Sequence, residues 1–399
     1  MAAQKTVPEI RKNEQNILLF LLMLAVMGIG SVGFGLFSAV CTAFLFMNGK
    51  NLRLPGNFIL PVLFSVLCFF FVFPDSGILP AAKFLAVPLI WITGYNLPES
   101  GNIGGIFRTA SVLAFGMAFR VLGNFIYNIA IGTELSSGRS LDIFSGKYSA
   151  VTGQIVNATF LIAVLYWIIF CSKRKIFAVS GVFLWIFAGI YSVLIGSRSF
   201  IALSMLMIFL AFLLWFFGAK GAGRKIFAVL MLIFLSGIFA ALFSSDFLGT
   251  KSLYENSYLF RRLEIHGNSL FGAGSRLLLK AKYLENFFRF PFGGNHIKNE
   301  VAGNYAHDLW LDIFDEAGIF AFFALVLFSL SSLLRMRRIY LLPEIGRNEK
   351  ISGAVFTLVI FAQFFLEPIW QGAPLFFCAF LLIDGMFEKS AFLAEKGRF

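Results

Sequence analysis

The chain is 399 residues long, 59% hydrophobic and only 14% charged, with a formal net charge of +12. A soluble domain is ordinarily ~45–50% apolar and ~25% charged, so a soluble globular protein is excluded and residues 1–399 read as a single polytopic membrane domain. The basic excess calls for no nucleic acid, because most of it falls where cationic loops face anionic inner-leaflet lipid.

The N-terminal stretch MAAQKTVPEIRKNEQ is polar. No cleavable signal is evident, and the apolar run behind it is expected to be retained. A spanning helix needs ~20 apolar residues, within a range of ~17–25. The first run is longer than that and is broken by GIGSVGFG, so it is split at the glycines into 16–31 and 33–47. Further runs follow at 57–74, 78–95, 107–131, 150–171, 176–195, 199–217 and 226–243. A long polar segment, 244–306, separates these from the last three runs at 307–334, 351–370 and 373–387. The expected fold class is an all-α integral membrane protein of about 12 transmembrane helices, with one large loop between spans nine and ten.

Basic residues set the orientation. With the N-terminus inside, 20 of the 33 Lys and Arg residues fall on inside segments, while the outside turns near 75–77 and 371–372 carry none. Short inside loops are enriched in Lys and Arg, so both termini are expected on the cytoplasmic side. The segment 244–306, the loop around 132–149 and the turn at Gly196-Ser197-Arg198 then lie outside. Cys41, Cys68, Cys171 and Cys378 each sit within an apolar run, with no metal-binding spacing.

The outer segments hold the ionisable chemistry. All three histidines, His266, His296 and His307, fall in the large loop or at its end, beside several Lys and Arg residues. A solvated loop matched to anionic headgroups is the plainer reading, and an anionic ligand is the sharper one. Two stretches favour the ligand. In IYSVLIGSRSFIAL, Arg198 sits at the turn between spans seven and eight, where a snorkelling anchor is the competing reading. In GAGSRLLLKAKYLENFFRFPFGG, Arg276 opens an amphipathic helix expected to run to Arg289 and to lie on the membrane surface. There the helix dipole and the guanidinium both favour an anion. The breaker PFGG ends that helix.

The third stretch, GNYAHDLWLDIFDEAG, opens the tenth run. Asn304 or Asp308 is expected to cap the helix. Asp308, Asp312, Asp315 and Glu316 form one acidic stripe, of which the last two are expected to approach hydrocarbon, where acids are costly and functional. His307 beside a carboxylate and near arginines has the equipment of a general base next to a phosphate clamp.

Taken together, the Gly196-Ser197-Arg198 turn, a second Gly274-Ser275-Arg276 in the outer loop, and H-D-x-W-x-x-x-x-x-E-x-G from His307 to Gly318 resemble the bacterial O-antigen ligase/polymerase family. The likeness covers roughly residues 176–334. It implies a glycosyltransferase of the bacterial inner membrane with its active site in the periplasm and 244–306 as a periplasmic loop. It implies no metal and no cofactor. The substrate class would be an undecaprenyl-diphosphate-linked glycan met among membrane lipid, and the resemblance leaves room for a chain-length regulator protein as a partner.

Carried over by motif, Arg198 and Arg276 would bind the diphosphate, and His307, with Asp308 beside it, would act as base. Arg139, in SSGRSLDIFSG, matches loosely an arginine of the earlier outer loop. The ligase pattern has Asn, Ser or Gln after the histidine, where this chain has Asp308. It also has Gly, Thr or Tyr three positions after the motif glycine, where this chain has Ala321. The O-antigen polymerase is therefore the favoured member and the ligase the alternative. A polytopic flippase would also place charges such as Lys83, Arg120, Glu367 and Asp384 in its spans, but it would be expected to show an internal repeat, and none is evident.

Overall fold

In the computed structural model, residues 9–28, 32–133, 139–144, 146, 148–217 and 273–395 are described. The expected ninth run, 226–243, and the first part of the large loop, with His266, lie outside them. The described chain is almost wholly helical, as the long apolar runs require. Helices α1 Glu9–Met27, α2 Gly33–Met47, α3 Ile59–Ser76, α4 Ile78–Ala82, α5 Ala86–Asn96 and α6 Ile103–Ala130 come first. A short antiparallel hairpin follows, β1 Arg139–Leu141 paired with β2 Tyr148–Ala150. Then come α7 Val151–Phe170, α8 Lys175–Leu194, α9 Arg198–Phe217, α10 Ala273–Glu285, α11 Leu309–Leu341, α12 Arg347–Leu366, α13 Ile369–Gly372 and α14 Pro374–Glu395.

Seven helical segments among the described residues are long and apolar enough to cross a membrane, and three shorter apolar helices accompany them. The protein is therefore an all-α membrane protein. Its outer flanks display large apolar side chains such as Phe70, Val179, Phe209 and Phe323, as a lipid-facing bundle must.

Close packing of glycine holds the centre. A Cβ at Gly94 of α5 would lie 1.9 Å from Leu382 O, and one at Gly385 of α14 would lie 2.0 Å from Trp91 O. Only glycine lets these two backbones touch, which is how helices associate where lipid removes the hydrophobic drive. Beside this crossing Arg335 is buried in α11, paired with Asp384 and Glu388 of α14, while Trp91 Nε1 donates to Asp384 Oδ2 at 2.7 Å. The sequence places Arg335 in an inside loop. It is instead a core cation tying α11 to α14, and Asp384 is its counter-charge. Arg120 of α6 likewise pairs with Asp142 after β1 at 2.8 Å.

The largest departure from expectation is in α11. A straight helix rises ~1.5 Å per residue, which would set Trp310 and Ser329 nearly 30 Å apart. Yet Trp310 Nε1 donates to Ser329 Oγ at 3.0 Å. The helix folds back on itself at Gly318, whose φ is +81° and ψ −179°. The arm Leu309–Ala317 packs along the arm Ile319–Leu341, with Phe314 against Phe322. The run 307–334 is thus a short re-entrant arm followed by the long apolar arm.

The PFGG segment makes the reversal tolerable. Ile319 N donates to Pro291 O at 2.8 Å, Gly294 N to Glu316 O at 3.3 Å, and Asn295 N to Asp315 O at 2.7 Å. Broken backbone at membrane depth requires such protein partners. A Cβ on Gly318 would come within 2.8 Å of Pro291 O, and one on Gly293 within 2.7 Å of Glu316 O, so both glycines are required by contact as well as by their left-handed φ.

Candidate active site

The fold-back decides what the acidic stripe does. Asp308 is the N-cap of α11, its Oδ1 accepting from Trp310 N and Leu311 N, as a cap aspartate should. Asp312 reaches back over the loop: Oδ1 accepts from Ala306 N at 2.7 Å and Oδ2 from Asp308 N at 3.2 Å. Asp315 accepts from Ile297 N at 2.8 Å and Lys298 N at 3.0 Å, at the start of the π-helical turn Ile297–Ala302. Glu316 accepts from Gln371 Nε2 at 2.8 Å. Asp315 and Glu316, expected to approach hydrocarbon, stand instead at the vertex of the reversal and bind the loop that fills it. Buried carboxylates persist because amide donors and Gln371 satisfy them.

Between the two amides held by Asp312 lies His307, whose φ is +57°. A non-glycine residue in that region costs ~1–3 kcal/mol and persists only where its surroundings impose it. Here the imposing group is the Asp312 carboxylate. The imidazole Nδ1 lies 3.6 Å from Glu367 Oε2. Glu367 follows the last residue of α12, with extended φ/ψ of −143° and 153°, and precedes Pro368; a proline there prevents the helix from continuing. The break turns the carboxylate inward, where the residue is only 1% exposed.

Arg276 closes the group. Its NH2 donates to Glu367 Oε1 at 3.2 Å and its NH1 to Leu366 O, the end of α12, at 2.9 Å. One turn on, Lys280 Nζ donates to Asp308 Oδ2 at 2.9 Å and to Phe365 O at 2.6 Å. Helix α10 therefore docks by two cations onto the ends of α11 and α12. Its Tyr283 hydroxyl donates to Asn304 O at 2.9 Å; burial, with Asp315 and Asp312 nearby, pushes that phenol well above its ordinary pKa. Phe287 stacks on Phe314 with centroids 3.9 Å apart. The other side of the segment, Leu277, Leu278, Leu284 and Phe288, is exposed, as expected of a helix at a membrane surface. The helix itself ends at Glu285, a turn short of the expected Arg289.

The structure thus joins Arg276, Glu367 and His307 directly, with Asp308 on the neighbouring Lys280. Arg198 and Arg139 share their end of the bundle. Arg347, at the start of α12, donates to Trp215 O near the end of α9, so the two helices run antiparallel and Arg198 at the head of α9 lies level with Glu367. The turn before it uses Gly196 at φ +74°, and Ser197 N donates to Ser192 O at 2.7 Å. Arg139 opens β1 opposite Ala150, and the hairpin is bound to the end of α6 by Asn128, which donates to Leu141 O and accepts from Leu141 N. His296 is apart from the group, bonded to Glu300 at 2.7 Å and half exposed.

A cavity of about 630 Å³ leads away from Lys280 and Asp308. Leu277 and Leu284 of α10, Leu311, Phe322, Val326 and Leu333 of both arms of α11, and Phe361 and Phe365 of α12 line it. Leu277, Leu284, Leu330 and Phe365 are exposed along it, so it opens on the apolar flank. Sequence reasoning missed three things: Glu367 as the carboxylate beside His307, Asp312 as the holder of its backbone, and this groove. Among the described residues no three His, Cys, Asp or Glu side chains are grouped to hold a metal ion. No protein-family model matches the chain, and a search of curated proteins finds no relative.

Proposed function

We propose that the protein is a glycosyltransferase of the bacterial inner membrane that polymerises undecaprenyl-diphosphate-linked O-antigen repeat units at the periplasmic face. The observation that carries this reading is the histidine, arginine and carboxylate group beside the Lys280–Asp308 pair, from which an apolar groove runs to the flank. Such a site suits a substrate with a long hydrocarbon tail and an anionic, sugar-bearing head. On this reading the chain crosses the membrane about 12 times, both termini are cytoplasmic, and the His307 end faces the periplasm. The lysines and arginines concentrated at the opposite end support that orientation.

In the proposed reaction the donor diphosphate lies between Arg198 and Arg276. A guanidinium has five N–H donors, and the bonds from Arg276 to Leu366 O and Glu367 leave others for phosphate oxygen. His307 accepts the proton of an acceptor hydroxyl on a second lipid-linked unit. That oxygen bonds to the anomeric carbon of the donor sugar as the bond from carbon to diphosphate oxygen breaks. Undecaprenyl diphosphate departs, and the arginines stabilise the charge it gains. Asp308 serves through Lys280 and the helix cap.

Asp308 after the histidine and Ala321 after the motif glycine favour the polymerase over the ligase. Deleting the gene and separating lipopolysaccharide by electrophoresis tests this. Loss of a polymerase leaves core bearing one repeat unit, loss of a ligase leaves bare core, and an unchanged ladder refutes both.

A further inference from the structure

His307 Nδ1 and Glu367 Oε2 are both buried, and neither has a hydrogen-bond partner among the described residues. They face each other at 3.6 Å. Leaving two such atoms unpaired forfeits the hydration of each without return, and each is the natural partner of the other. Catalytic hydrogen bonds are commonly long in a ligand-free protein and tighten when substrate binds. The carboxylate is not free to turn away: Oε1 is held by Arg276 at 3.2 Å, and its backbone N–H donates to Gln363 O at the break before Pro368.

We infer that Glu367 is the positioning residue for His307, fixing the imidazole with its proton on Nδ1 and its lone pair on Nε2. An ionised carboxylate only accepts hydrogen bonds, so the ring nitrogen facing it must be the one that carries hydrogen. The base that takes the acceptor proton is then Nε2. When that proton arrives, the ring becomes an imidazolium beside the Glu367 carboxylate, which stabilises it without taking the proton. Arg276 has a second task in this arrangement, since its bond to Oε1 aims Oε2 at the ring. The inference rests on the transferase reading for the use of the base, but the tautomer itself is a property of the protein alone.

The chain has three histidines, so a ¹⁵N spectrum of selectively labelled protein is assignable by subtracting that of His307→Gln. The expected spectrum of the wild-type protein, at a pH where the ring is neutral, shows His307 with hydrogen on Nδ1. In Glu367→Leu the signal moves toward the mixed pattern of a free imidazole. Hydrogen on Nε2 in the wild type, or an unchanged tautomer in Glu367→Leu, overturns the inference. With lipid-linked glycan, Glu367→Gln is expected to lower kcat by about 10²–10⁴ with KM moved far less, and Glu367→Asp to recover part of it. Equal losses in kcat and KM overturn it too. A wild-type His307 protonated on Nδ1 in a protein that transfers no glycan refutes the transferase reading and leaves the positioning intact.

Discussion

Asp312 holds His307 by the backbone, one carboxylate oxygen on the amide before it and one on the amide after it, at 2.7 and 3.2 Å. The relationship joins a strained residue, φ +57°, to the group that imposes the strain. Asp312→Asn keeps the size but turns an NH₂ toward one of those amides, so a hydrogen bond becomes a donor facing a donor. The loss is about 1–3 kcal/mol, enough to free the histidine. Glycan transfer is expected to fall at least roughly tenfold, while the thermal midpoint in detergent moves by only a few degrees. Unchanged kcat in Asp312→Asn would show that the conformation of His307 is immaterial.

The reversal of α11 depends on Gly318. Gly318→Ala places a methyl group against Pro291 O and the Phe292 backbone, at 2.8 Å from each. The left-handed φ adds about 1–3 kcal/mol of strain. The variant is expected to accumulate poorly and to lose monodispersity on size exclusion. Normal yield and melting would mean that the two arms do not fold back as described.

Charge alone does not replace the arginine at 276. The side chain bridges Leu366 O and Glu367 through two nitrogens, which a point-charge ammonium cannot reproduce. Arg276→Lys and Arg198→Lys are each expected to fail to restore transfer while still inserting normally. If both arginines were mere anchors, lysine would serve, because it snorkels equally well. Activity assays on the two purified variants separate these outcomes.

Filling the groove should discriminate by tail length. Ser329→Phe and Leu284→Trp project bulk into a cavity of about 630 Å³. Transfer from a donor with the full polyprenyl chain is expected to show a raised KM, with a smaller change for a donor carrying a short isoprenoid. Equal effects on both donors would remove the groove from the substrate path.

Much of the fold is legible in the sequence because lipid imposes one rule on every span: about 20 apolar residues in a row. The cap Asp308, the amphipathic α10 and the convergence of Arg276 on His307 are legible for similar reasons, each being a local pattern or a motif. The rest depends on contacts between distant segments. Glu367 stands 60 positions from His307 in sequence (367 − 307), on a different helix. An acid before a proline in an apolar run reads as a kink with a charge facing a cavity, and nothing local names His307 as its partner. Asp315 and Glu316 read as costly intramembrane acids because nothing local reveals that the amides of Ile297 and Lys298 will meet the first and Gln371 the second. The fold-back is hidden for the same cause, since Gly318 alone does not tell a helix to reverse; PFGG, some 25 residues earlier, supplies the hydrogen bonds.

Orientation is open to a direct check. Asn304 is exposed at the His307 end and Lys173 is exposed in the turn between α7 and α8, at the other end. With Cys171 changed to Ser, Asn304→Cys is expected to react with an impermeant maleimide applied to spheroplasts, and Lys173→Cys only after lysis. The reverse pattern would put the site on the cytoplasmic face and exclude a periplasmic transferase.

Reconstitution tests the central claim most directly. Purified wild-type protein and His307→Ala are placed in nanodiscs with undecaprenyl-diphosphate-linked saccharide as both donor and acceptor, with EDTA present, and the glycans are read by mass spectrometry. The account predicts dimers and longer glycans with one undecaprenyl diphosphate released per bond formed. It predicts a fall of about 10² or more for His307→Ala, with donor binding retained. Full activity in His307→Ala, or no transfer by the wild-type protein, would contradict it.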